Sequence, residues 1–372
     1  MSTATSVADV QMPPPCGRGR PSSEWLDSLE AFGDQLMAVQ EDIGFKMSAR
    51  GWAYALENAG VITKSNLDEA KRRVNQARDK GYIPLDFTAQ DDGRKFAYTP
   101  KPPTPTDDFI KWCLEDILSG KGLHRSFWQT QDVFIQILVE KVDLREVFAP
   151  VCREYSIPIA TSKGWSSKNQ RGEILRRAAE WRMGEGIAPN DANKKPILLY
   201  CGDFDPAGRQ ISGKLRKNLT DLEDAKIRVG DTYYTDVTPD NLGMEIDRFG
   251  LNKQFIDDNN LTWIDNLQTG SDNNLPLDNP AHKDHDKDYV QNWLDEIGVR
   301  KVEANALVTD PEAGRSLLRD TIERYLTDNA KQRYEEIQYK SKKELKSKLS
   351  QLGIKSELED VVRGLERKGG DQ

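Results

Sequence analysis

From residue 132 onward, strand and helix signals alternate with joins of only a few residues, and this restricts the fold more than any other feature of the chain. "DVFIQILVE" (132–140) is an apolar, β-branched run. It is followed by the amphipathic "DLREVFAPVCREY" (143–155). The order repeats with "IPIATS" and "NQRGEILRRAAEWR", then "PILLYCGD" and "PAGRQISGKLRKNL". Strands that return through helices pair in parallel, and the helices cover both faces of the resulting sheet. The spacing therefore predicts an α/β fold with a Rossmann-like parallel sheet.

In open parallel sheets, functional groups gather just beyond the carboxyl ends of the strands. Three acids fall there. Glu140 ends the first strand, and Asp203 and Asp205 follow "ILLYCG". In extended backbone, residues two apart point to one side, so Asp203 and Asp205 can face one ion. Hard oxygen ligands of this kind suit Mg²⁺. A second reading of the same residues needs no metal, because Asp205 before Pro206 is a helix N-cap followed by proline at the first helical position. On the motif alone both readings stand.

Upstream, "EWLDSLEAFGDQLMAVQEDIGF" has helical spacing, and "SARGWAYALENAG" reads as a helix between Ser48 as N-cap and Gly60 as C-cap. "NLDEAKRRVNQARDKG" is a third helix, with Leu67, Ala70, Val74 and Ala77 as its apolar stripe. "YIPLDFTAQDDGRKFAYT" predicts two strands about a turn at Asp92-Gly93. Helices followed by a hairpin are the elements of an α+β winged-helix domain. The proline-rich "PKPPTPTDD" (100–108) marks a boundary. The expected organisation is a disordered tail (1–24), a winged-helix domain (25–99), and a linker with a connecting helix (100–128). A parallel-sheet core (129–240) and a mostly helical C-terminal extension (241–372) complete it.

Composition excludes some classes. No apolar run is long enough to span a bilayer, and the N-terminus lacks the apolar core of a signal peptide. The four cysteines are scattered without a C-x-x-C pair, which points to a reducing cytoplasm and away from a zinc site. Net charge is −8, so any nucleic-acid binding has to rest on a local basic patch. Lys71, Arg72, Arg73, Arg78 and Lys80 form such a cluster on and after the third helix. Its competing reading is a solvated helix face paired with Asp68, Glu69 and Asp79. His282 and His285 lie in an Asp-rich loop and are assigned no metal, and no phosphate-binding P-loop is evident.

"VEKVDL…PIATSKGWSS…CGDFDPAGRQI" closely resembles a Toprim domain, most of all that of the topoisomerase VI A subunit and its meiotic break-forming relatives. The resemblance covers roughly residues 40–240. It implies that Glu140, Asp203 and Asp205 hold Mg²⁺, with Gly202 and Gly208 allowing close backbone approach. It also implies a tyrosine nucleophile on a winged-helix domain, with an arginine four residues before it. "RGWAYAL" supplies Arg50 and Tyr54, although Ala53 replaces the usual aromatic and Gly51 is an unusual helix-interior residue. Helical phase puts Trp52, Ala55, Leu56 and Ala59 on the buried stripe and Tyr54 roughly opposite.

The implied activity is Mg²⁺-dependent tyrosine transesterification that breaks double-stranded DNA, of the type IIB topoisomerase kind. In the family, sites are completed across a homodimer; with no phosphate-binding loop in this chain, an ATP-driven cycle would need a separate ATPase subunit. The expected location is cytoplasmic, nucleoid-associated or in a phage host's cytoplasm. Glu303, in a segment similar to the one that follows the Toprim core, is a weaker site candidate. Two other functions fit the sequence. One is a hydrolytic Toprim nuclease of a defence or mobile-element system. The other is a catalytically silent DNA-binding or scaffold relative.

Overall fold

A computed structural model describes residues 6–15, 21–89, 103–123, 126–162, 167–183, 194–268 and 275–369. The described residues within Met1–Gly93 and Val133–Tyr325 form one compact unit, and those within Arg94–Asp132 and Leu326–Gln372 form a second. This division cuts the chain differently from the one drawn on the sequence. The tyrosine-bearing helices share a unit with the sheet.

The first unit opens with α1 (Ser23–Ile43), α2 (Ala49–Asn58) and α3 (Leu67–Asp79). Ser22 and Ser48 cap α1 and α2 by accepting from Trp25 and Gly51 N–H. α1 buries Leu29, Phe32 and Leu36, α2 buries Trp52, Ala55 and Leu56, and α3 buries Ala70, Val74 and Ala77. These are the stripes that a 3.6-residue period predicts.

Two expectations fail here. The tail is not disordered over residues 6–15: Val7, Val10 and Pro13 are buried, and the Pro14 carbonyl accepts from Trp25 Nε1 (2.9 Å) and Arg73 Nη2 (3.1 Å). A proline run is already extended, so ordering it costs little chain entropy. The first strand expected before the Asp92-Gly93 turn is instead, over the described residues 82–89, a series of turns and bends. Pro84 has no N–H for a ladder, Phe87 N–H turns back to the Pro84 carbonyl (3.0 Å), and the Phe87 ring stacks on Trp52 at 5.4 Å. The second strand of that hairpin falls in residues 90–102, outside the described residues.

In the second unit, α4 (Thr106–Ser119) packs with α14 (Lys355–Gly369), and α13 (Ala330–Gln351) lies against the short turn Phe127–Thr130. Phe127 and Tyr334 meet edge to face, 5.4 Å apart.

The sheet belongs to the first unit. Its strands are β1 (Val133–Val139), β2 (Ile159–Thr161), β3 (Lys195–Cys201) and β6 (Glu245–Arg248), all parallel in the order β2-β1-β3-β6. The connections are α5 (Val142–Glu154), α6 (Lys168–Met183), α7 (Pro206–Arg209) and α8 (Ile211–Thr220). A small antiparallel pair, β4 (Ile227–Val229) and β5 (Thr232–Tyr234), follows α8. Leu138, Leu198 and Tyr200 alternate onto the face covered by Leu175 and Ala178 of α6 and Leu215 and Leu219 of α8. α5 lies against β1 and β2, backed by α12 (Pro311–Glu323) and α11 (Ala306–Thr309). The short α9 (Lys253–Asp258) and α10 (Asp288–Glu296) complete the unit. The fourth strand, β6, lies beyond residue 240; only four residues long, it gives little alternation to read. No helix among the described residues is long and apolar enough to cross a membrane.

The N-cap of α2 is tied to this framework by one carboxylate, and the helix also packs against α11. Asp143, in the first turn of α5, is buried and accepts from Ser48 N–H (2.8 Å) and Ser48 Oγ (3.1 Å). Burial pushes its carboxyl above the usual aspartate range, against the two Ser48 hydrogen bonds. A Cβ on Gly51 would lie 2.5 Å from Asp143 Oδ2, which accounts for glycine inside this helix. Moving the carboxylate aside would break both bonds to Ser48. Gly51→Ala is therefore expected to cost about 1–3 kcal/mol. Gly213→Ala in α8, where a Cβ meets nothing within 4 Å, is expected to gain about 0.5–1 kcal/mol. Urea unfolding of the two variants checks the contrast.

Candidate active site

The site at the strand ends is set by pairing. Val139 of β1 aligns with Cys201 of β3, and Glu140 N–H donates to the Cys201 carbonyl (2.9 Å), so Glu140 emerges beside Gly202 and Asp203. Glu140 Oε2 accepts from the Asp203 N–H (3.2 Å) and from the Tyr200 hydroxyl (3.2 Å). Gly202 allows this approach, since a Cβ there would sit 2.5 Å from the Tyr200 hydroxyl and 2.7 Å from Glu140 Oε2. Gly208 is needed for the same reason, with a Cβ falling 2.1 Å from the Asp203 carbonyl oxygen.

Between Glu140 and Asp203 stands an ammonium group that the sequence reading did not single out. Lys141 Nζ is 3.0 Å from Glu140 Oε1 and 2.9 Å from Asp203 Oδ2. Asp203 Oδ1 accepts from the Ala304 N–H (2.8 Å), delivered by the segment whose Val302 forms an isolated bridge with Phe204. Asp205 Oδ1 accepts from the Gly208 N–H (2.5 Å), so Asp205 is the N-cap of α7 with Pro206 behind it. Behind the turn, the half-buried Arg248 donates from Nη2 to the Asp203 carbonyl (3.0 Å).

The charges are unevenly held. Burial alone would favour neutral Glu140, but Lys141, the Asp203 N–H and the Tyr200 hydroxyl outweigh it and keep the group below the usual glutamate range. Burial pushes Asp203 up to about 7, reinforced by Glu140 and Asp205 and opposed by Lys141. Burial likewise raises Asp205, against its Gly208 hydrogen bond. Burial and then the Glu140 and Asp203 charges raise Tyr200 strongly, so it stays a proton donor.

Among the described residues no group of three or more His, Cys, Asp or Glu side chains is arranged to hold a metal ion. The donors nevertheless suit a hard cation. Two carboxylate oxygens from neighbouring strands converge on one positively charged atom, the Lys141 nitrogen, and Asp205 is close enough to feel both Glu140 and Lys141. The Lys141 ammonium occupies the point between Glu140 and Asp203 where a shared ion was expected.

The second part of the site is on α2. Tyr54 is half-buried and Arg50 is exposed. Arg50 donates to the Tyr54 hydroxyl from Nε (3.1 Å) and Nη2 (2.8 Å), with its guanidinium 5.4 Å from the ring centroid. The i, i+4 spacing on one helix produces this contact, while Trp52 is fully buried on the other side. A cavity of about 310 Å³ opens at Tyr54, lined also by Arg50, Lys64, Lys71 and Asp68. One turn further along α2, burial and Glu303 raise Glu57, opposed by Lys64 and Lys301. Lys301 in turn acts on Asp205.

The basic cluster on α3 is only partly a surface. Lys71 and Lys80 are exposed, and Arg72 is exposed but ion-paired to Glu69. Arg78 is half-buried and donates to the Leu85 carbonyl (3.0 Å). Arg73 is not available to a phosphate: it is buried at 1% exposure, paired with Glu69 and set over the Trp25 ring at 5.2 Å. Its alkyl stem and planar head fill the space between α1 and α3, where the stripe has a gap. His282 is buried and its Nδ1 accepts from the Asp284 N–H (3.0 Å). Residues 163–166 of "SKGWSS" lie outside the described residues. The reading missed Lys141, Lys64, Tyr200, Lys301 and Arg248. Lys141 was visible as the residue beside Glu140 and Tyr200 as part of the "ILLYCG" run; Lys64, Lys301 and Arg248 had no motif to mark them. No protein-family model, curated protein or solved structure matches this chain.

Asp205 separates capping from charge. Its raised carboxyl means that ionised Asp205 weakens the folded state: this contribution is most favourable below the ordinary aspartate pKa and is lost as pH rises through the folded value. Asn caps a helix as well as Asp does, so Asp205→Asn is expected to match the parent in acid and to gain in melting temperature as pH rises. Asp205→Ala loses the cap and is expected to cost about 1 kcal/mol. Thermal melts from pH 4 to 8 in EDTA check both.

Proposed function

We propose that this chain is a topoisomerase VI A-like DNA-cleaving protein that works by tyrosine transesterification. The observation that carries the reading is the Arg50–Tyr54 pair, an accessible phenol bonded to a forked cation beside a cavity lined by Lys64 and Lys71. It gains support from acids at the ends of two adjacent parallel strands in the same compact unit. The winged-helix and Toprim assignments belong to this proposal.

In this mechanism Tyr54 Oη bonds to the phosphorus of a DNA phosphodiester and the bond from phosphorus to one sugar oxygen breaks. The phenolic proton leaves and the departing sugar oxygen takes one up, so an ester is exchanged for an ester and the step is reversible. Arg50 donates to the non-bridging oxygens, whose charge grows at the pentavalent stage. Lys71 and Lys64 hold the flanking backbone by charge without reading sequence. Glu140, Asp203 and Asp205 are the residues that would hold Mg²⁺. When bound, the ion supplies charge neutralisation and orientation at the scissile phosphate. Cutting both strands requires two tyrosines, which a twofold dimer supplies.

Covalent attachment separates this function from its competitors. After incubation with duplex DNA and Mg²⁺ and denaturation, labelled DNA is expected to migrate with the wild-type protein but not with Tyr54→Phe, which removes one oxygen and keeps the packing. Arg50→Ala is expected to reduce attachment by about 10²-fold or more. Cleavage with free ends would instead mark a hydrolytic nuclease, and no cleavage a DNA-binding or scaffold protein. Light scattering with duplex is expected to report two copies; a strict monomer would remove the twofold arrangement.

A further inference from the structure

We propose that Lys141 is a displaceable internal counter-cation: its ammonium holds the position between Glu140 and Asp203 that a divalent ion takes, and metal loads by exchanging with it. This rests on the reading of those acids as metal ligands and adds a role for a residue that the reading does not use.

The hydrogen bonds divide in a way suited to exchange. One oxygen of each carboxylate is committed to the protein. Glu140 Oε2 is held by the Asp203 N–H and the Tyr200 hydroxyl, and Asp203 Oδ1 by the Ala304 N–H. The other oxygen of each, Glu140 Oε1 and Asp203 Oδ2, faces Lys141 Nζ. Removing the ammonium therefore breaks no backbone hydrogen bond and frees two oxygens already aimed at one point. A doubly charged ion gains more there than a single ammonium, because its attraction to each carboxylate is doubled.

Lys141 also has a way out. Its side chain keeps 29% exposure while Asp203 keeps 16%, and four flexible methylenes let the ammonium swing to water. Neighbouring cations are tied elsewhere. Lys301 Nζ donates to the Gln268 carbonyl (2.8 Å), and Arg248 donates to the Asp203 and Leu251 carbonyls (3.0 and 2.8 Å). Lys141 alone bridges the two acids through their side chains among the described residues. Without it, or a metal in its place, two half-buried carboxylates would face each other without a cation between them, which is unfavourable.

The test uses the full chain without DNA and reads Mn²⁺ binding by the loss of the free-ion EPR signal at pH 7.5, so it does not depend on cleavage. Lys141→Met is expected to bind Mn²⁺ roughly tenfold tighter or more than wild type, since no paired ammonium has to be expelled. Lys141→Arg keeps a cation and is expected to bind as wild type, and Asp203→Asn is expected to lose binding. In EDTA, Lys141→Met is expected to melt below wild type and to recover in Mn²⁺. Circular dichroism verifies folding, and Lys141→Gln replaces the Met variant if that one fails to fold. Equal or weaker binding by the neutral variants, with wild-type binding still abolished by Asp203→Asn, would overturn the exchange and leave the metal site standing. No Mn²⁺ binding by any variant would overturn the metal reading and the exchange together.

Discussion

The seven-residue register between β1 and β3, from Val133↔Lys195 to Val139↔Cys201, is the constraint on which the site depends. It sets Glu140 against the turn that follows β3 and aligns the strand ends so that one ammonium can touch both acids. A slip of one residue would turn either Leu138 of β1, or Leu198 and Tyr200 of β3, away from the core beneath α6 and α8. The apolar face that stabilises the sheet thus also fixes the spacing of the charges. Burial of Leu and Ile side chains, worth roughly 1.5–3 kcal/mol each, offsets the repulsion among acids held at the rim.

That repulsion is managed locally. Each acid has a different partner set: Lys141, Tyr200 and a backbone N–H for Glu140, Lys141 and the Ala304 N–H for Asp203, and the Gly208 N–H for Asp205. Their affinities for protons diverge accordingly, with Glu140 held low while Asp203 and Asp205 are pushed up. Divergent carboxylates in one cleft are a common property of functional sites, and structural ion pairs produce the same divergence. The tyrosine helix is held by comparable means, through the buried Asp143 that caps it at Ser48. Because Asp143, in the first turn of α5, lies three residues after Glu140, the segment that carries one of the acids also anchors the helix that carries Tyr54.

Some of this was legible in the sequence and some was not. The strands and helices between residues 133 and 220 follow from apolar runs and periodicity, since local patterning dominates in long, regular segments. The Arg50–Tyr54 contact follows from spacing on a helix. Gly51 looked like a flaw in that helix and proved to be the space required by Asp143, a residue 92 positions away. Arg73 read as a surface charge because a charged residue on a polar helix usually is one, and only packing against Trp25 and Pro14 put it inside. Pro84 and Phe87 satisfied a strand pattern by composition, but Trp52 offered the phenylalanine a better partner.

The sequence by itself determined the parallel α/β architecture, the position of Glu140, Asp203 and Asp205 at strand ends, the capping of α2 by Ser48, and the pairing of Arg50 with Tyr54. The last two depend on residues within a turn of one another, where backbone geometry leaves few choices, and the first two on short strand-to-helix joins that admit few topologies. Tertiary structure alone decided that Lys141 bridges two acids, that Ala304 and Tyr200 complete their hydrogen bonds, and that the N-cap of α2 is bonded to Asp143 of α5 within the sheet's own unit. Those contacts join segments up to 101 residues apart, and their energies come from burial and desolvation, which no local pattern records.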